Sequence, residues 1–336
     1  MTGRGALREN MTIFGAEAVE SMRGRTAGLV GLGSLGSVGA LLMSRLPLKK
    51  LVLVDRDIVE KKNLHRQYLY TEADAEELWP KAEAARRRLE SSSETELESR
   101  DIHLDAENAG ELFEECDLVL DATDNFETRL LLNEASVFYG KPWIYGGILG
   151  TRGSVMFVGP RGGPCLRCVF EEVPAVGAEE SCDTAGIHPA LPMIIASIQA
   201  SEAAKYLSGD EASVEKRLIH FDIRTMRLVK IDAVKNPECP VCGARKVGRL
   251  EGGAGPEIRE LCGGESVLVI LKGRKFDLRE LEKRLGTEGR VFSNGYILSF
   301  AQDGIAMTIH GDGRVLVRGI GEGGKAMSHV SRALGL

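Results

Sequence analysis

Residues 50–55 read KLVLVD, an apolar run closed by an aspartate. A strand with one face in water alternates apolar and polar residues, so an unalternating run belongs to a strand covered on both faces. Strands of that kind occur where helices pack on each side of a parallel sheet. Residues 26–30 (TAGLV) and 117–121 (DLVLD) repeat the pattern. Around these runs, residues 11–23, 37–45, 81–90, 106–115 and 128–139 read as helices, and 96–102 and 142–146 as further strands.

Strands alternating with helices predict an α/β fold: a Rossmann-like, doubly wound, mostly parallel sheet. Residues 153–158 add a strand beyond it. A loop rich in Pro, Gly and Glu follows over 160–185. An apolar helix covers 192–207, with Gly209 just past its end, and 218–231 holds two strand-like runs. Glycines at 252–255 mark a domain boundary. The remainder reads as strand (266–271), helix (278–285), three strands (290–300, 305–309, 315–318) and helix (325–334), a small α+β module. The expected organisation is a core domain over 1–250 and a C-terminal module over 257–336.

The formal net charge of -6 argues against nucleic acid as the main partner, because phosphate binding leaves a basic footprint. No apolar run approaches the roughly 18 residues of a membrane helix. Arg4 and Arg8 are followed by no apolar stretch of the secretory kind. The expected location is therefore cytoplasmic, where thiols stay reduced. Seven cysteines there suggest metal binding or thiol chemistry.

Residues 31–36 read GLGSLG, with Gly31, Gly33 and Gly36 between a strand and a helix. Glycines let the backbone turn tightly and approach a phosphate, which the helix N-terminus favours. Asp55, ending the next strand, is placed to bond ribose hydroxyls. Taken alone, this pair points to a nicotinamide dinucleotide. Asp57, Asn63, Arg66, Gln67 and Lys81 follow. An Arg and a Lys suit an ATP triphosphate, because charge collects on departing pyrophosphate and cations offset it. Asp124 and Asn125 follow a buried strand, where ligands bind in such sheets. Asp124 can hold Mg2+. Asn125 can touch the nucleotide or cap the next helix.

Cys165-x-x-Cys168 and Cys239-x-x-Cys242 make a four-thiolate zinc set with no open position, hence a structural one. Cys182 lies in the long loop, where a thiol can act as a nucleophile or carry a thioester or persulfide. An inert buried thiol is the competing reading, and the one that suits Cys116. Cys262 has no assigned role.

These motifs, in this order over about residues 8–243, resemble the ThiF/MoeB family of ubiquitin-activating-enzyme-like adenylyltransferases. The shared residues include Asp55-x-Asp57, Asn63-Leu-x-Arg66-Gln67, Pro80-Lys81, Asp121-x-Thr123-Asp124-Asn125, Ser181-Cys182 and both cysteine pairs. The resemblance implies a homodimer that binds ATP and Mg2+ at the glycine loop, Asp55, Asn63, Arg66, Lys81 and Asp124. It implies as partner a small β-grasp, ubiquitin-like sulfur-carrier protein ending in Gly-Gly. The carrier's carboxylate would become an acyl-adenylate. A sulfur donor such as a cysteine desulfurase or rhodanese would then attack it, in some members through the cysteine matching Cys182. Three features depart from the family. Ser34 stands where a second glycine is common. Arg8 is the nearest match to the arginine lent to the partner subunit's ATP. The C-terminal module is no rhodanese domain. Two readings compete: adenylation of a peptide or a tRNA base, and a non-enzymatic scaffold for ubiquitin-like proteins.

Overall fold

The computed structural model describes residues 10–159, 162–170, 186–251, 257–260 and 266–336. Arg8, Cys182, Cys262 and the 252–255 glycines lie outside the described residues. The chain divides into two compact units. The first comprises 1–72 and 81–252, the second 73–80 and 253–336.

In the first unit, residues 10–14 are helical, and Gly15 at φ +87° breaks them from α1 (Ala16–Arg23). Then come β1 (Thr26–Val30), α2 (Ser34–Met43), β2 (Lys50–Asp55) and α3 (Glu72–Glu76), whose last residues belong to the second unit. Next are α4 (Lys81–Glu90), β3 (Glu96–Asp101), α5 (Ala106–Glu115), β4 (Leu118–Asp121) and α6 (Phe126–Tyr139). The unit ends with β5 (Trp143–Leu149), β6 (Arg152–Val158), α7 (Leu166–Val169), α8 (Leu191–Leu207), β7 (Leu218–Asp222) and β8 (Arg227–Ile231).

Eight strands form one sheet in the order β3-β2-β1-β4-β5-β6-β7-β8. The first five run parallel and the last three pair antiparallel. Side chains alternate between the faces of a strand. Val52 and Val54 pack into one core with Leu112 and Phe113 of α5 and Leu132 of α6. Leu51 and Leu53 point the other way and are equally buried. Both faces are therefore covered, as the apolar runs require. Helix ends follow local chemistry. Asp105 and Asn108 form a reciprocal capping box on α5, Asn125 caps α6, and left-handed Gly140 ends it.

The second unit has its own six-stranded antiparallel sheet. In chain order it contains β9 (Glu257–Glu260), β10 (Ser266–Ile270), α9 (Leu278–Leu285), β11 (Arg290–Ser293), β12 (Ile297–Gln302), β13 (Ile305–His310), β14 (Arg314–Arg318) and α10 (Gly323–Leu334). The strand order is β11-β12-β13-β14-β10-β9. Val267, Leu285, Phe300, Ile309 and Val330 belong to one separate core. The single strand expected over 290–300 is two, because the chain turns at Asn294 and at Gly295, φ +85°. Among the described residues, no helix is long and apolar enough to cross a membrane.

Candidate active site

The strand order reverses at β1. The chain leaves β1 through α2 toward β2, and β4 takes the other side. Ligands bind at such a switch point, beyond the carboxyl ends of the strands. Gly31 lies there at φ +86°, and its N–H donates to Val54 O at 2.8 Å. A Cβ on Gly31 would sit 2.8 Å from the carbonyl of Ala122, and one on Gly36 would sit 1.8 Å from Gly31 O. Neither fits, so both glycines are required by backbone contact with the β4 turn and within the loop. Gly33 is the N-cap of α2. The helix begins at Ser34, three residues before the expected start, and Ser34 is buried in its first turn. The first turn winds through Gly36 as well, with Ser37 N donating to Gly33 O at 3.0 Å.

Asp55 joins this loop to the next. One carboxylate oxygen accepts from Leu32 N and the other from Asp57 N at 2.7 Å. Burial pushes the Asp55 carboxyl up, and Lys81 and these backbone donors oppose that. Lys81 is the first residue of α4, with only 5% of its surface exposed. Its Nζ lies 2.9 Å from Asp57 Oδ2. Burial alone would favour the neutral amine. Asp57 and Asp55 more than offset it and hold Lys81 above its ordinary range, as an ammonium; the charge of Asp124 adds to this. Nearby in sequence, Asn63 (7% exposed) and Gln67 (4%) each keep a buried side-chain oxygen with no partner among the described residues. Gln67 Nε2 lies 3.8 Å from where a Gly33 Cβ would be, so Gln67 sits against the glycine loop. Arg66 is half-buried.

At the end of β4, Asp124 is exposed. Asn125 Oδ1 accepts from Thr128 N at 2.9 Å, which commits that oxygen to the cap of α6. Sequence reasoning missed Tyr70, and it included Arg129 in the family motif without giving it a role. Tyr70 donates its hydroxyl to Leu32 O at 2.8 Å and ties the glycine loop to the segment before α4. Arg129 lies over the rings of Phe126 and Tyr145, 5.2 Å from each centroid, with its Nε 3.4 Å from buried Asp121 Oδ2. It also donates to Thr123 O at 2.6 Å, which braces the turn that carries Asp124. The Tyr70 bond is made across the fold, whereas Arg129 acts within its own turn, on Asp121, Thr123 and Phe126.

The four cysteines meet. The Sγ atoms of Cys165, Cys168, Cys239 and Cys242 all lie within 4.8 Å of one another. Cys165–Cys239 is 3.6 Å and Cys168–Cys242 3.4 Å. A tetrahedral zinc with Zn–S bonds of about 2.3 Å places its sulfurs about 3.8 Å apart. The donor set therefore fits zinc. Burial works against a Cys239 thiolate, but the N–H groups of Cys242 and Val241 and the neighbouring thiols bring it down to about 7. The knuckle is closed by Gly243, whose N–H donates to Cys239 O at 2.9 Å and where a Cβ would lie 2.3 Å from Pro237 O.

Known proteins are similar to this chain in sequence and in fold. Over its whole length the chain is 34% identical to the sulfur carrier protein ThiS adenylyltransferase of Bacillus subtilis, the 340 aligned residues covering 100% of each. It is 38% identical over 235 residues to the sulfur carrier protein adenylyltransferase of Thermus thermophilus, 68% of this chain and 86% of that one. The crystal structure of E. coli MccB with ATP has the same fold, with a TM-score of 0.61 and 17% identity over 71% of this chain and 74% of that chain. The ThiF family model matches residues 7–241, and the chain belongs to the ThiF family.

Proposed function

We propose that this chain adenylates the C-terminal Gly-Gly carboxylate of a small ubiquitin-like sulfur-carrier protein, with ATP and Mg2+. The observation that carries the reading is Lys81, a buried ammonium held by Asp57 beside the glycine loop. A hydride-transfer site needs no such cation, whereas release of pyrophosphate does. The names of the two adenylyltransferase relatives support the carrier protein over a peptide or a tRNA base as the acceptor.

In this reading a carboxylate oxygen of the carrier attacks the α-phosphorus of ATP. The bond from that phosphorus to the bridging oxygen breaks, and its electron pair leaves with pyrophosphate. Lys81 and Arg66 offset the growing charge on the leaving group. Gly31, Gly33, Ser34 and the start of α2 receive the phosphates. Asn63 and Gln67 offer their unspent oxygens to donors on the nucleotide. Asp55 holds the glycine loop through Leu32 N and faces the ribose. Asp124, exposed at the switch point, would hold Mg2+, which neutralises phosphate charge. Zinc at the four cysteines has no open position, so its role is structural. Arg8 from a partner subunit, Cys182 as relay, a homodimer and a separate sulfur donor complete the reading on family resemblance.

ATP–pyrophosphate exchange tests it. Exchange is expected only when a Gly-Gly-tailed carrier protein is added. Equal exchange with no acceptor, or with a carrier lacking the terminal glycines, would sink the proposal.

A further inference from the structure

Strands β4 and β5 part at the edge of the site. Their parallel pairing ends at Leu120↔Ile144, although β5 runs on to Leu149 against β6. Carried one bond further, the ladder would give the N–H of Gly146 to Asp121 O. Gln199 of α8 takes that place. Its Nε2 donates to Asp121 O at 2.8 Å and to Ile144 O at 3.3 Å. Gln199 is 2% exposed, on a helix face buried through Ile195, Ala196 and Ala203. A Cβ on Gly146 would lie 2.3 Å from the amide nitrogen, so the glycine makes room for it.

The end of β4 follows β1 instead. Ala122 N donates to Val30 O at 2.8 Å, and the carbonyl of Ala122 is the group that leaves no room for a Cβ on Gly31. Asp121 Oδ1 accepts from Thr123 N at 2.9 Å and from Thr123 Oγ1 at 2.6 Å, which shapes the turn before Asp124. Burial pushes the Asp121 carboxyl up, and Arg129, Thr123 and the N–H of Gly146 oppose that. The Gly146 N–H thus serves the Asp121 carboxylate and leaves the Asp121 carbonyl to Gln199.

We propose that Gln199 is a positioning residue for the nucleotide site: it holds β4 apart from β5, so that the Asp121–Asp124 turn stays with β1 and the glycine loop. The proposal rests on the reading of the glycine loop, Lys81 and Asp124 given above. Without the amide, Asp121 O would turn to the Gly146 N–H, and the turn would shift toward β5.

The test uses the full chain. Gln199→Met keeps the length and helix preference of the side chain and removes its donor. The KM for ATP in carrier-dependent exchange should rise about five- to tenfold, with the KM for carrier and the zinc content unchanged. Hydrogen exchange at the Ala122 and Thr123 amides, read without nucleotide, should be faster. Ile195→Val, one turn earlier on the same buried helix face, should lower the melting temperature and leave the KM for ATP alone. Gln199→Asn keeps an amide but draws it back by one bond. It should move both readouts the same way, and it carries the test if Gln199→Met does not fold. Unchanged protection at Ala122 and Thr123 overturns the proposal. So does loosened protection with an unchanged KM for ATP, or an equal rise of that KM in Ile195→Val. The nucleotide reading stands or falls separately, on the loss of exchange expected of Lys81→Ala.

Discussion

The glycine loop and the cysteine knuckle are both backbone-tight turns, and they use that tightness in opposite ways. Gly31 admits no Cβ against Ala122, and Gly243 admits none against Pro237 O. At the knuckle every reactive group converges, with four sulfurs within 4.8 Å of one another around a space sized for one ion. At the loop the groups stay apart. Asn63 Oδ1 and Gln67 Oε1 are buried without a partner among the described residues, and Lys81 is kept charged where burial opposes charge. A buried unpaired polar atom costs about 1–3 kcal/mol, which a ligand at the loop would recover. Asn133 Nδ2, near the knuckle, and Trp143 Nε1 are buried without a partner too, so the loop is set apart by the charge kept at Lys81.

That contrast can be broken by substitution. The largest effect is expected at the knuckle. Cys239→Ser should lose bound zinc and lower stability by roughly 3–5 kcal/mol, as removal of a covalent tie does, read as metal content and a denaturation curve. A soluble variant with stoichiometric zinc would show that the four thiolates are not one site. Next comes Lys81→Ala, which should cut pyrophosphate exchange by about 10²–10³ in folded protein whose zinc content is unchanged. If its main consequence were instead lost stability, Lys81 would belong with the cysteines as a structural group. The smallest effect is expected from Asn125→Ala. Loss of a helix cap should cost about 1 kcal/mol of stability. Its exchange rate should stay near that of the parent, and a tenfold fall would place Asn125 on the nucleotide.

How much of this could be read beforehand depended on range. Lys50–Asp55, Lys81–Glu90, Ala106–Glu115 and Leu278–Leu285 have the limits that apolar pattern and composition gave them. β9 went unnoticed because four residues, EIRE, carry too little pattern. The Asn294-Gly295 turn was written in the chain, but the apolar residues around it masked it. The four cysteines were legible as one donor set because metal ligands must be particular residue types at particular spacings. Tyr70 was not, because a tyrosine bonding a carbonyl 38 residues away leaves no local trace. Asp55 was expected to serve the ribose, and its bond to Leu32 N appears only once two strand ends lie side by side.

The knuckle joins positions 74 residues apart in both of its pairs. A ribosome makes about 5–20 residues per second, so Cys165 and Cys168 wait roughly 4–15 s for Cys239 and Cys242. During that wait the first pair is a bidentate thiol that can take the wrong metal or an oxidant. The chain between the pairs contains α8, β7 and β8, three elements of the core sheet and its cover. With the zinc proposed above in the knuckle, its supply during synthesis would bear on when β7 and β8 are tied back to the strand before Cys165.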